Sequence, residues 1–454
     1  MSTEDAIGLP FSLPPMTIDR MEMALDEPRY MVTLIGQSRR MIISPKLADL
    51  LRELKQDKSL DEIARSLSES WGKPIGSDDL RFIVEQQMIP RGLAYPRGEA
   101  PADARTANRS IQQPKSPILL RMLQGRFRWR LLNPRTVRKL CSPLAVFYEP
   151  LSVALALLLI VASRYLLYKD YDSHFFNQVV GRSTPTEYLI SLGLLIGVVL
   201  FHEFGHAAAQ IRFGLRTGPI GFQLYHYIPA FFADVSNSWK LKPRQRIAVD
   251  IGGIYFQSMM ASIFYLIYLK TDFVPLLAAV IASDTLCVIS INPFLRFDGY
   301  WLLTDALAVP NLREQAERQF AGLLRRLMGR PPKHDLAAVT RTRGALMVAY
   351  TIARNAFWLL LCFLIIRRAS HIYASALTLM KNFFALIRRG IEFGEWALLL
   401  SSIIRMTLFV LLLLTMISLI FSVALRVIGL TRKVFSKLVL RQATAPAIPN
   451  AAQE

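Results

Sequence analysis

The chain has 454 residues, of which 52% are hydrophobic and 19% charged, with a mean hydropathy of +0.31. That is too apolar for a string of soluble domains and places most of the polypeptide in a bilayer. Lys and Arg number 54 against 34 Asp and Glu, a net charge of +20, and the three cysteines lack CxxC spacing, which excludes a disulfide framework and a cysteine-rich zinc module.

Residues 1–100 are expected to form a small cytosolic domain, because no run before about residue 98 is apolar enough to span. Glu4, Asp5, Asp19, Glu22 and Asp26 in the first thirty residues predict that no cleavable signal peptide is present. Tyr30 to Ile43 reads as two short strands around Gly36-Gln37-Ser38, with Met31, Thr33 and Ile35 alternating before the turn. Ser44-Pro45 then caps a helix whose Leu47, Leu50, Leu51 and Leu54 share a face. Ser59 and Glu62 make a capping box for a second helix, and a third covers roughly residues 77–88. The order, hairpin then three helices, predicts a small α+β winged-helix-like fold.

Residues 101–143 form a basic juxtamembrane linker, with ten basic side chains and no acidic one between 104 and 143. Phe127, Trp129, Leu131 and Leu132 interleave with them, but the stretch runs straight into an apolar segment. Anionic lipid is therefore the expected partner, not nucleic acid. Stretches of spanning length follow at about 144–168, 187–211, 247–269, 273–303, 345–366 and 397–425, predicting a mainly α, polytopic protein with about six spans. Basic flanks orient it as a multi-pass protein with both termini cytoplasmic and the loop carrying Asp170 and Asp172 outside. Residues 144–310 are the membrane core, 311–344 a cytoplasmic basic loop, 345–430 the C-terminal spans and 431–454 a cytoplasmic tail. His371 to Ile387, with Lys381 at its centre, reads as an interfacial helix or as a poor seventh span.

The second span contains His202-Glu203-Phe204-Gly205-His206, an HExxH motif in an otherwise apolar helix. Positions i and i+4 lie one turn apart on one face, so both imidazoles can ligate one Zn²⁺, with Glu203 beside it to accept a proton from water. Ionisable groups at membrane depth are costly and need a partner or a function. A hydrolytic zinc needs a third ligand, and Asp298, in the segment Asn292 to Trp301, is the best candidate. Pro293 and Gly299 break the helix there, as lining a site permits. An ion pair between Asp298 and Arg296 is the competing reading, and Asp250, Asp284 and His226 remain spare ligand candidates. Gly214 to Val235, apolar but punctuated by Gly and Pro, suits either a re-entrant hairpin shielding the metal or a loop on the headgroups.

HExxH in one span plus an NP…DG segment in a later one resembles the site-2 protease family of intramembrane zinc metalloproteases, over roughly residues 144–310. Phe201 to Ala208, Pro219-Ile220-Gly221, Leu224-Tyr225, Trp239 and Asn292 to Trp301 are similar to its bacterial branch of peptide zinc metalloproteases. The resemblance implies zinc on His202, His206 and Asp298 and water activation by Glu203. The sequence departs from the family pattern at Ser290 and Leu295, where an asparagine and a second proline are usual.

Met41 to Pro45, Leu50-Leu51, Leu60 to Ala64 and Ile83 to Leu93 give the N-terminal domain a resemblance to PqqD-like peptide-recognition modules. This implies a leader or precursor peptide as partner, added as a strand at the hairpin edge; a generic winged-helix-like domain is the alternative. The expected function is an intramembrane zinc metalloendopeptidase acting near the cytoplasmic face in peptide maturation. Its rivals are a non-proteolytic adaptor or exporter component that binds a precursor peptide, and a membrane zinc hydrolase acting on lipid.

Overall fold

Proline and polar caps set where the helices begin. Ser44, Ser59, Asn133, Thr184 and Thr340 each accept a hydrogen bond from a backbone N–H in the first turn, and Pro45, Pro134 and Pro185 follow three of them. The structure is a computed structural model that describes residues 9–21, 29–35, 40–56, 58–96, 128–169, 184–225, 227–329, 331 and 339–443. The expected Gly36–Ser38 turn, the loop holding Asp170 and Asp172, His226 and the tail beyond 443 lie outside those residues.

The N-terminal domain begins with β1 (Phe11–Ser12) and β2 (Met16–Met21), followed by β3 (Arg29–Leu34) and β4 (Arg40–Ile43). Helices α1 (Pro45–Glu53), α2 (Leu60–Trp71) and α3 (Ser77–Ile83) come next, and β5 (Tyr95–Pro96) closes back on β1. Strands β3 and β4 pair as the alternation predicts, but β2 adds a third strand on the far side of β3. Thr33 is therefore paired on both sides, with Thr17 and Arg40, and the sheet edges belong to β2 and β4. Sequence reading missed β2 because Met16, Ile18 and Arg20 do not alternate cleanly. Val32, Leu34, Leu50, Leu51, Ile63, Leu67 and Leu80 form the domain's own core. An exposed ion pair of 3.1 Å joins Asp19 of β2 to Lys240.

Within the basic stretch, β6 (Arg128–Leu132) and α4 (Pro134–Cys141) lead into α5 (Pro150–Lys169). Helix α6 (Pro185–Arg212) returns, and β7 (Ile220–Tyr225) and β8 (Ile228–Ala233) make a hairpin. Strand β6 pairs antiparallel with β7, giving a sheet of order β6-β7-β8. Because β6 precedes α5 and β7 follows α6, the two ends of this helical pair are clipped together. Val137 and Cys141 of α4 are fully buried against Ala207 and Ala208 of α6. Burial pushes the Cys141 thiol up to about 12.

The remaining helices are α7 (Pro243–Thr271), α8 (Val274–Ser290), α9 (Asp298–Leu307), α10 (Leu312–Leu327), α11 (Arg341–Arg367), α12 (Ala369–Glu392) and α13 (Trp396–Ala443). Five helices among the described residues are long and apolar enough to cross a membrane: α5, α6, α7, α11 and Trp396–Ser418 of α13. The expected fourth span at 273–303 corrects that count from six. It divides into α8, with 17 residues, and α9, with 10. Asn292 Oδ1 accepts from the Phe294 N–H at 2.9 Å, Pro293 has no N–H to offer, and the chain restarts as a helix only at Asp298. Gly299 lets the break fold back on itself, since a Cβ there would stand 2.0 Å from the Ile291 carbonyl oxygen. The expected interfacial segment lies within α12, which is largely exposed and packs along α13.

Candidate metal centre

Two helices meet at glycine. A Cβ on Gly205 of α6 would lie 2.1 Å from the carbonyl oxygen of Gly252 of α7, so the backbones approach as only small residues allow. Tyr148 clamps the crossing, its hydroxyl donating to the Gly205 carbonyl at 2.8 Å while its ring stacks on Phe256. Phe256 and Phe201 fill the space behind it, which gives the aromatic residues after Gly252-Gly253 a packing role.

That crossing buries His202, Glu203 and His206, each under 9% exposed. The break after α8 brings Asp298 to the same place. Its Oδ2 lies 3.0 Å from His202 Nε2 and its Oδ1 3.5 Å from His206 Nε2, and the two Nε2 atoms are 3.1 Å apart. One ligand atom from each of the three residues falls within 4.8 Å of the others. Tetrahedral ligands about 2.0–2.1 Å from a zinc ion sit about 3.3 Å from one another. The observed spacings bracket that value.

The donor set has the right chemistry as well as the right spacing. His206 Nδ1 lies 2.7 Å from the Val249 carbonyl oxygen, which can only accept. Nδ1 must therefore carry the proton, and in the neutral ring the Nε2 lone pair faces His202 and Asp298. Two neutral imidazole nitrogens and a carboxylate are a donor set that a divalent ion would complete.

Glu203 is the next residue on α6, within electrostatic reach of all three, and its carboxylate meets the Ala233 N–H at the end of β8. The hairpin over Gly214 to Val235 therefore covers the site from the side of the glutamate. A Cβ on Gly221 would lie 2.2 Å from the Trp129 carbonyl oxygen, so glycine is what lets β6 close onto this hairpin.

The competing ligands go elsewhere. Arg296 turns to the ring of Tyr300, leaving Asp298 to the histidines. Asp284 takes a bidentate bridge from Arg164, at 2.7 and 2.8 Å, and a bond from the Tyr168 hydroxyl. Asp250 lies beside the buried pair Arg246–Asp305, joined at 2.8 Å. Sequence reasoning missed that pair and also Gln257, whose Oε1 is 2.7 Å from His202 Nδ1. An amide inside an apolar span was the signal available for Gln257; nothing local in the sequence couples Arg246 to Asp305.

In comparisons with known proteins, the chain is similar to the "Putative peptide zinc metalloprotease protein YydH" of Bacillus subtilis (strain 168), 27% identical over 124 residues. The match covers 27% of this chain and 48% of that protein, so the chain spans about half the length of the relative it matches. No protein-family profile matches the chain, and no solved structure does.

Proposed function

We propose that the chain is a membrane-embedded zinc endopeptidase of the site-2 protease kind, hydrolysing a peptide bond in a precursor peptide or a membrane-inserted substrate near the cytoplasmic face. The observation that carries the reading is the convergence of His202, His206 and Asp298 beside Glu203 inside apolar helices. The Bacillus subtilis relative supports it by its name. Zinc held by the three ligands supplies Lewis-acid polarisation of a carbonyl and a more acidic water. Glu203 takes the proton from the attacking water and delivers it to the leaving amine. The hairpin β7–β8 keeps bulk water from that carboxylate, and its free edge along β8 offers backbone groups to a substrate unwound from helix to strand. Residues 144–310 form the catalytic core in this reading, and both termini lie in the cytoplasm of a bacterial cell.

Residues 1–100 serve as a PqqD-like module that takes up a leader peptide. Strand β4 is the edge for it, because β3 is paired on both sides and Asp19 turns β2 toward Lys240. Purified protein incubated with small peptides encoded beside its gene tests the reading, with mass spectrometry as the readout. Cleavage by the wild type, absent in Glu203→Gln at unchanged zinc content, is the expected result. A precursor that binds residues 1–100 but is never cut would instead make the chain a non-proteolytic adaptor.

A further inference from the structure

Gln257 stands in the third crossing, 2% exposed, and Ser283 stands on α8, fully buried. A primary amide at this depth is costly unless all its polar atoms are met. Gln257 Nε2 donates to the Ser283 carbonyl oxygen at 2.9 Å and to Ser283 Oγ at 3.3 Å, while Oε1 faces His202 Nδ1 at 2.7 Å.

These contacts admit one assignment of hydrogens. The Ser283 carbonyl can only accept, so the amide NH₂ must face it and the amide oxygen must face His202. An amide oxygen can only accept in turn, so His202 Nδ1 must carry the proton. In the neutral imidazole that can ligate a metal, Nε2 then keeps the lone pair, directed at Asp298 Oδ2 and His206 Nε2. The opposite tautomer would set two lone pairs against each other at Gln257 and turn an N–H into the ligand cluster.

We propose that Gln257, oriented by Ser283, is the positioning residue of the metal centre: it fixes the tautomer and ring orientation in which His202 offers Nε2 to zinc. The inference rests on the metal-centre reading above. His206 receives the same service from the Val249 carbonyl, which no side-chain substitution can remove. His202 depends on a replaceable side chain. The frame holding Ser283 spans the bundle, because the next residue, Asp284, is bridged to Arg164 of α5, and Arg164 also donates to Ser262 of α7. Three helices therefore hold the amide whose oxygen meets the ring on a fourth.

The test uses the full-length chain in detergent, stripped of metal and titrated with Zn²⁺ against a chelating indicator, and with Co²⁺ for its visible spectrum. Gln257→Leu is expected to weaken zinc binding by about 10- to 100-fold and to shift the Co²⁺ bands. Gln257→Glu keeps an oxygen facing Nδ1 and, as the neutral acid, a donor facing Ser283; it is expected to restore affinity to near the wild-type value. A folded Gln257→Leu protein with wild-type affinity and spectrum overturns the proposal. Proton NMR of the Co²⁺-loaded wild type is independent of any variant: two strongly shifted, solvent-exchangeable imidazole N–H resonances are expected, and fewer than two overturns the assignment. Wild-type protein that takes up neither ion overturns the metal centre itself, a different outcome from a wild type that binds zinc and a Leu variant that binds it equally well.

Discussion

Gly253 lies directly beneath His202: a Cβ added to the glycine would stand 2.3 Å from His202 Nε2 and 2.5 Å from His206 Nε2. The floor of the metal centre is thus a position where no side chain fits. Gly253→Ala is expected to abolish zinc uptake, because the methyl group occupies the space toward which both nitrogens point. Gly197→Ala, on the HExxH helix with nothing within 4 Å of its added Cβ, is the matched control and is expected to keep the metal. Zinc content of the two purified proteins decides it; equal occupancy would contradict the geometry.

Removing a ligand should separate from removing the base. His202→Ala, His206→Ala and Asp298→Ala each take one of three donors and are expected to lose zinc, whereas Glu203→Gln is expected to keep it. Retention of full zinc by Asp298→Ala would point to a different third ligand.

Arg246 is fully buried, with Nε 2.8 Å from Asp305 Oδ1, and Asp305 rides on the same short helix as Asp298. Arg246→Met leaves a buried carboxylate unpaired, and destabilisation of about 3–5 kcal/mol is expected. Pairing it with Asp305→Leu should recover much of the loss, since replacing both charges removes the unpaired group. Thermal unfolding in detergent measures both. A double variant no more stable than Arg246→Met would show that the helix is held by something other than this pair.

In the N-terminal domain, the Ser59 hydroxyl accepts from the Glu62 N–H and the Glu62 carboxylate accepts from the Ser59 N–H. Ser59→Ala is expected to destabilise the domain by about 1 kcal/mol. The bond from Ser59 holds the Glu62 carboxyl below its usual value. A carboxyl depressed in the folded state stabilises above its unfolded pKa and loses that contribution as pH falls through the folded one. Acid should therefore narrow the gap between wild type and Glu62→Ala, and a gap constant down to strongly acid pH would contradict the cap.

If β4 takes up a leader peptide, deleting residues 1–100 should raise KM for the full precursor much more than it lowers kcat. Proline at Met41 or Ile42 should mimic the deletion at whichever residue turns its N–H outward. Proline at Thr33 is expected to damage the sheet itself, because that strand is paired on both sides. Unchanged kinetics without the domain would leave it no part in recognition.

Much of the site was legible because its chemistry is local: HExxH places two imidazoles one turn apart whatever surrounds them, and Pro293 and Gly299 announce a broken helix near Asp298. The division of the fourth apolar stretch was half legible, since its composition is continuous while its backbone is not. Strand β2 was not legible because its residues do not alternate cleanly, and the pairing of β6 with β7 was not, because sheet partners distant in sequence leave no periodic mark on either strand. Gln257 and Ser283 were hidden for a similar reason. Each is an ordinary polar residue in a helix, and only packing makes one the orienter of a ligand.

The pairing of Arg128 with Gln223 and of Trp129 with Phe222 sets an order of events during synthesis. Both helices of the first hairpin lie between those strands, so the sheet cannot close until about 95 residues beyond β6 have been made and two crossings are in place. At about 5–20 residues per second, Asp298 then follows the histidines by several seconds more. Through that interval the cover over Glu203 is forming while the ligand set is still short by one carboxylate. A nascent chain that has made its HExxH helix but not α9 therefore carries only two of the three candidate ligands.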